Sequence, residues 1–326
     1  MPQPRKNQIS LIDTPYYHCV SRCVRRSFLC GEDKFTGQSY NHRRGWVEER
    51  LLFLSSVFTI QICAYAVMSN HTHVVLCVDK NLAEGWSMTE VISRWHKLYQ
   101  GTLLSQKYQK GDRLSTAEFS SLEETVSIYR QRLYDISWFM RNLNEHIARE
   151  ANKEDGCTGR FWEGRFKSQA LLDERAVLAC MTYVDLNPIR TKVERTPETS
   201  KHTSIQNRIH ALIKGEQPKT LMRFVGNHRQ GMPKGIAYSV IDYCELVDCT
   251  GRCIRENKTG YIEQHYNPIL ARLGLDTEQW LTLTTEFEQH FSTAVGSERM
   301  LQQFKLHTGH QRIRGMTKAR ALLQNT

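Results

Sequence analysis

The run from Ile62 to Asp79, ICAYAVMSNHTHVVLCVD, leaves little freedom in how it can fold. It reads as two strands around a tight polar turn at Met68-Ser69-Asn70. The second strand opens His71-Thr72-His73 and continues apolar from Val74 to Val78. Successive strand side chains point to opposite faces, so His71 and His73 share one face. Two imidazoles so placed can grip one metal ion. The plainer alternative is a half-buried, hydrogen-bonded pair at a strand end.

Around this hairpin, Tyr16 to Arg22 (YYHCVSR) alternates as a first strand. Tyr17, Cys19 and Ser21 fall on one face, and His18, Val20 and Arg22 on the other. Residues 31–45 are polar and loop-like, and Trp46 to Ile60 has helical spacing. Ser87-Met88-Thr89-Glu90 fits a capping box for a helix from about Met88 to Tyr108, with Gly101 as a kink. Residues 109–133 are charged and helix-prone and read as an insertion, and Ile136 to Ala151 is amphipathic. The second half of Arg160 to Asp173 reads as a short strand. Asp173 then caps a helix from Glu174 to about Leu186, which Pro188 ends. The order strand, helix, strand, strand, helix, strand, helix predicts an α+β, ferredoxin-like (RRM-like) antiparallel sheet with packed helices. The expected divisions are a flexible basic arm over 1–15, a catalytic domain over 16–195, and a mainly helical C-terminal region over 200–326.

Composition narrows the partner. The 326 residues carry a formal charge of +10, which tilts towards a polyanion. No apolar run approaches the roughly 18 residues of a membrane span, and the N-terminus lacks a secretory core, so a cytoplasmic protein is expected. Ten cysteines are scattered without a CxxC pair and read as reduced thiols. Cys244, Cys249 and Cys253, with His265, make a weak zinc-like cluster of non-standard spacing.

A second constellation lies in MTYVDLNPIR. Tyr183 and Asn187 are four residues apart and share a helix face. A tyrosine hydroxyl can attack a phosphodiester that a metal polarises, and an asparagine carbonyl can complete a site begun by two histidines. Taken alone, this helix reads more simply: a helix tyrosine is usually a packed residue, and Asn before Pro usually makes a turn.

The three segments YYHCVSR, AYAVMSNHTHVVLCV and RFWEGRFKSQALLDERAVLACMTYVDLNPIR, in that order, resemble the single-tyrosine HUH transposases. More narrowly, they are similar to the REP-associated tyrosine transposases, relatives of the insertion-sequence-200 type. The resemblance covers roughly residues 15–195. It implies that His71 and His73 are metal ligands, that Tyr183 is the nucleophile, and that Asn187 helps hold the ion. The family's ion is Mg²⁺ or Mn²⁺; ligand type alone favours Mn²⁺ or Zn²⁺. Thr72 stands where the family has a bulky apolar residue, and Ser69 where many relatives have Pro; neither is a ligand.

The implied activity is strand transfer on single-stranded or hairpin DNA through a 5′-phosphotyrosine, by a monomer or homodimer in the bacterial cytoplasm at the nucleoid. Arg160, Arg165, Lys167 and Arg190 are candidates for backbone phosphates, and Phe161 and Trp162 for stacking on bases or plugging the sheet–helix interface. The segment 295–326 holds six basic residues against one acid and can dock on duplex or hairpin DNA, or be a solvated helix face. A non-cleaving hairpin binder and a water-using metal phosphodiesterase are the competing readings.

Overall fold

A computed structural model describes residues 7–24, 29–32, 37–227, 229–256 and 268–323. The strands are β1 (Tyr16–Arg22), β2 (Ile60–Val67), β3 (His71–Val78), β4 (Lys167–Leu171) and β5 (Ala294–Val295). The helices up to β4 are α1 (Arg43–Val57), α2 (Lys80–Glu84), α3 (Met88–His96), α4 (Leu103–Lys110), α5 (Thr116–Arg132) and α6 (Ile136–Glu154). After β4 come α7 (Glu174–Asp185), α8 (Asn187–Arg190), α9 (Ser204–Ile213), α10 (Val240–Glu256), α11 (Pro268–Leu273), α12 (Thr277–Thr285) and α13 (Phe287–His290). α14 (Glu298–Thr308) and α15 (Met316–Leu322) follow β5.

The sheet order is β2-β3-β1-β4-β5. The first four strands are antiparallel neighbours, and β5 adds to β4 in parallel. This is the expected α+β ferredoxin-like arrangement with one extra edge strand. Its two faces are packed differently. The face of Tyr17, Cys19 and Ser21 meets α1 and α6, where Asn144 donates to the Ser21 hydroxyl at 2.8 Å. The opposite face carries His18, Val20 and Arg22 and is covered by α7.

Local chemistry explains the boundaries. Ser87 accepts from the Glu90 N–H and starts α3. The single helix expected over Met88–Tyr108 breaks after His96. Gly101 sits at φ +74°, where a Cβ would collide with the His96 ring and the Ser105 hydroxyl, and Thr102 caps a new helix, α4. The predicted insertion is helical: Ser115 and Glu118 form a capping box for α5. Asp173 caps α7 through the Ala176 N–H at 2.8 Å and also accepts from Ser297 N, tying the end of β5 to the same cap. Pro188 does not end the helical path. It lies in the first turn of α8, where its missing N–H costs nothing, and the backbone turns on to Arg190.

The helices after residue 200 are fastened to α7 and the sheet edge. Buried Asp185 accepts from the Ser204 hydroxyl, from Ile205 N at 3.0 Å and from the Tyr243 hydroxyl at 2.7 Å. Ser204 also receives the Tyr65 N–H of β2 at 2.9 Å. Residues 7–15, expected within the basic arm, carry contacts of their own. The Thr14 hydroxyl donates to Leu171 O at 2.6 Å, and Ser10 N donates to the Tyr17 hydroxyl at 2.8 Å. Residues 1–6 lie outside the described residues, as does His265 of the zinc-like cluster. Among the described residues, no helix is long and apolar enough to cross a membrane.

Candidate active site on the histidine face

Register assembles the site. In the antiparallel ladder His73 lies opposite Val20, and His71 opposite Arg22. On the other side of β1, Gln169 lies opposite His18 and Lys167 opposite Val20. Partners across a ladder share a face, so His18, Arg22, His71, His73, Lys167 and Gln169 project together towards α7. Tyr183 from α7 and Asn187 from the start of α8 descend onto this group.

His71 and His73 are ring neighbours, 4.7 Å between centroids and nearly perpendicular. His71 Nδ1 lies 2.6 Å from Asn70 Oδ1. An amide oxygen only accepts, so the proton is on Nδ1 and Nε2 keeps its lone pair. His73 is 1% exposed and held on both nitrogens. Its Nε2 receives the Asn187 Nδ2–H at 2.9 Å, and its Nδ1 is 2.9 Å from His18 Nε2. Both imidazoles therefore present Nε2 as the basic atom. Burial, reinforced by the Arg22 and Arg190 charges, holds His71 down at about 4. Burial also lowers His73, so both rings are neutral near pH 7.

The Asn187 amide bears on whether this group could hold a cation. Asn187 Oδ1 is buried and lacks a hydrogen-bond partner. A buried amide oxygen costs about 1–3 kcal/mol when left unsatisfied. Rotating this amide brings that oxygen to the place its nitrogen now takes beside His73 Nε2. Two imidazole nitrogens and one amide oxygen are then available to a divalent ion. Another group, His18, His73 and Glu288, has ligand atoms within 4.8 Å of one another, and it uses the opposite nitrogen of His73. That nitrogen is already engaged with His18, and Glu288 Oε1 stands 3.7 Å from it.

Tyr183 packs edge-on to His73, with centroids 5.8 Å apart. Phe287 of α13 stacks on it at 5.6 Å, and the Arg190 guanidinium lies over the ring at 4.2 Å. The side chain is 3% exposed. Burial and the Glu288 charge push its hydroxyl up to about 12, against the pull of Arg190. A cleft of about 280 Å³ opens beside His71, lined also by Arg22, Glu163, Arg165, Lys167 and Glu288; His73, Tyr183 and Asn187 do not line it.

The predicted residues are thus placed unequally. His71, His73, Tyr183 and Asn187 come together. Arg165 and Lys167 line the cleft, whereas exposed Arg160 does not. Arg190 covers the tyrosine and donates to Thr285 O at 3.0 Å. Phe161 is 3% exposed and packed edge-on to Trp162, whose indole N–H donates to Asn144 O at 2.7 Å. Phe161 is packed inside, while Trp162 stays half-buried at its edge. Sequence reasoning missed His18, Gln169, Phe287 and Glu288. His18 was within reach, since alternation had put it on the face with Arg22. The other three come from distant segments that no local pattern links to the histidines.

No protein-family model matches this chain, and no curated protein does. Among solved structures, a REP-associated tyrosine transposase bound to a REP hairpin aligns at 11% identity and TM-score 0.38, over 72% of this chain and 98% of that one. The likeness is too loose to assign any residue a role.

Proposed function

We propose that the chain is a metal-dependent strand transferase acting on single-stranded or hairpin DNA, with Tyr183 as nucleophile. The supporting observation is the gathering of His71, Tyr183 and Asn187 around His73: Asn187 meets its Nε2, and the His71 and Tyr183 rings pack against its ring. The resemblance of three ordered segments to single-tyrosine HUH transposases points the same way. The structural neighbour, a transposase solved with a REP hairpin, makes hairpin DNA the natural first substrate to try.

In this reading His71, His73 and Asn187 would hold Mn²⁺ or Mg²⁺, which when bound would supply Lewis-acid polarisation of the phosphate. Arg22, Arg165 and Lys167 bring the strand to the cleft by pairing with its backbone phosphates. Tyr183 Oη loses its proton as the Oη–P bond forms. The P–O3′ bond breaks, and O3′ leaves with the electron pair and takes up a proton. The products are a 5′-phosphotyrosine and a free 3′-hydroxyl. Attack by a 3′-hydroxyl on that phosphotyrosine reverses the step and joins strands without a nucleotide cofactor. Phe287, stacked on the 3%-exposed Tyr183 ring, has to move before a phosphate reaches Oη.

The test is a labelled single-stranded hairpin incubated with the protein and Mn²⁺ and run on a denaturing gel. A covalent adduct with wild type, lost in Tyr183→Phe, is the expected result. Cleaved product without adduct makes the protein a water-using phosphodiesterase. Binding without product makes it a hairpin-binding regulator.

A further inference from the structure

His18 and Gln169 form a chain of contacts behind His73 that the proposed chemistry does not use. Both are buried, at 2% and 5% exposure. His18 Nε2 is 2.9 Å from His73 Nδ1, and His18 Nδ1 is 3.3 Å from Gln169 Oε1. The His18 and His73 rings are nearly coplanar, 12° apart with centroids 5.2 Å apart. The three residues sit on β3, β1 and β4, three adjacent strands. The ladder register that aligns His18 with Gln169 sets one of the spacings.

With Gln169 Oε1 and Asn187 Nδ2 facing the rings, one direction of proton donation satisfies every contact. Gln169 Oε1 only accepts, so His18 Nδ1 carries a proton and His18 Nε2 has a lone pair. That lone pair accepts from His73, so the His73 proton is on Nδ1. His73 Nε2 is then the basic nitrogen, which agrees with its receiving the Asn187 N–H. Reversing the chain would set a lone pair against the Gln169 carbonyl and an N–H against the Asn187 amine.

We propose that His18, backed by Gln169, is a positioning residue that locks His73 in its Nδ1–H tautomer and so aims Nε2 at the cation. This rests on the metal reading above and adds the groups that orient the ligand. Partners of this kind fix ring orientation and tautomer in metal sites, and their loss typically weakens binding 10- to 100-fold. The position also matters for selectivity of attack on the ring: with Nδ1 occupied, His73 cannot turn its other nitrogen to the ion.

The experiment uses the full chain and Mn²⁺ as probe, with binding followed by electron paramagnetic resonance. His18→Leu removes the acceptor and is expected to weaken Mn²⁺ binding about 10- to 100-fold. His18→Gln places an amide oxygen near the lost Nε2 and is expected to stay within about threefold of wild type. Two-bond ¹H–¹⁵N spectra of ¹⁵N-histidine-labelled, metal-free wild type, with His73 assigned by its loss in His73→Asn, read the tautomer without disturbing the site. An Nδ1–H signature supports the proposal, and an Nε2–H signature overturns it even if His18→Leu fails to fold. Unchanged Mn²⁺ binding in His18→Leu also overturns it. If His18→Gln and Glu288→Gln both lose the ion as fully as His18→Leu, His18 is itself a ligand and the positioning role is wrong. If instead His73→Asn binds Mn²⁺ like wild type, the underlying metal reading fails and this one falls with it.

Discussion

Asn187 donates from Nδ2 to His73 Nε2 across 2.9 Å, joining two residues 114 positions apart in the chain. The contact ties the tyrosine-bearing helical segment to the histidine strand through the atom a cation would need. Its other amide atom, Oδ1, is buried without a partner. Asn187 is therefore the residue whose replacement separates a metal site from a packed core.

Asn187→Asp keeps an oxygen beside His73 and adds a negative charge. We expect it to bind Mn²⁺ at least as tightly as wild type. Asn187→Leu leaves His73 Nε2 without a donor and should weaken Mn²⁺ at least tenfold, with a stability loss of about 1–3 kcal/mol. Calorimetric titration with Mn²⁺ checks both. Equal affinity in all three proteins would remove Asn187 from the site.

Tyr183→Phe deletes one hydroxyl and leaves the stacking on Phe287 intact. Adduct formation should vanish, while stability falls by only about 1 kcal/mol, the usual net worth of one hydrogen bond. Denaturant unfolding alongside the gel assay separates lost chemistry from lost fold. Removing divalent ions with EDTA should abolish the wild-type adduct, and Mn²⁺ should restore it.

Phe287 is fully buried against Tyr183, so trimming it opens the nucleophile. Phe287→Leu should cost roughly 1–2 kcal/mol, less than the 3–5 of truncation to alanine. With the ring less desolvated, the hydroxyl should fall from about 12 towards the ordinary tyrosine range. The initial rate of adduct formation at pH 8 is expected to rise several-fold. A rate at or below that of wild type would show that Phe287 positions the tyrosine instead of shielding it.

Glu48 joins α1 to the segment that begins the C-terminal helices. It lies 2.6 Å from His202 Nδ1, accepts from the Tyr65 hydroxyl, and is 3.3 Å from Asn207 Nδ2. Burial pushes its carboxyl up, but the bonds from His202, Tyr65 and Asn207 outweigh it and hold the group below the usual range. The folded value is thus below the unfolded one of about 4.3. Its stabilisation is complete above the unfolded value and is lost as pH falls through the folded one. Urea midpoints of wild type should drop steeply below about pH 4.3. Glu48→Gln should start lower at pH 7 and fall less steeply; parallel curves would remove Glu48 from the acid response.

Much of the histidine strand was legible because its signals are local. Period-two alternation put His71 and His73 on one face. Four-residue spacing expected Tyr183 and Asn187 on one helix, whereas the chain turns at Leu186 and they reach His73 from two successive helices. Asp173 was readable as a cap because capping is settled within three residues. The helix expected over Met88–Tyr108, with a kink at Gly101, instead ends at His96 and restarts at Leu103, because Gly101 turns left-handed between them. Phe161 and Trp162 could not be assigned from sequence, since a stacking platform and an interface plug have the same composition.

The sequence by itself determined the four longer strands and the shared face of His71 and His73. These follow from backbone periods that act over a few residues. Only the tertiary structure decided that His18 and Gln169 stand behind His73, that the Asn187 amide meets Nε2, and that Phe287 covers the tyrosine. Strand register and helix docking set those contacts, and both depend on burying apolar surface between segments far apart in the chain.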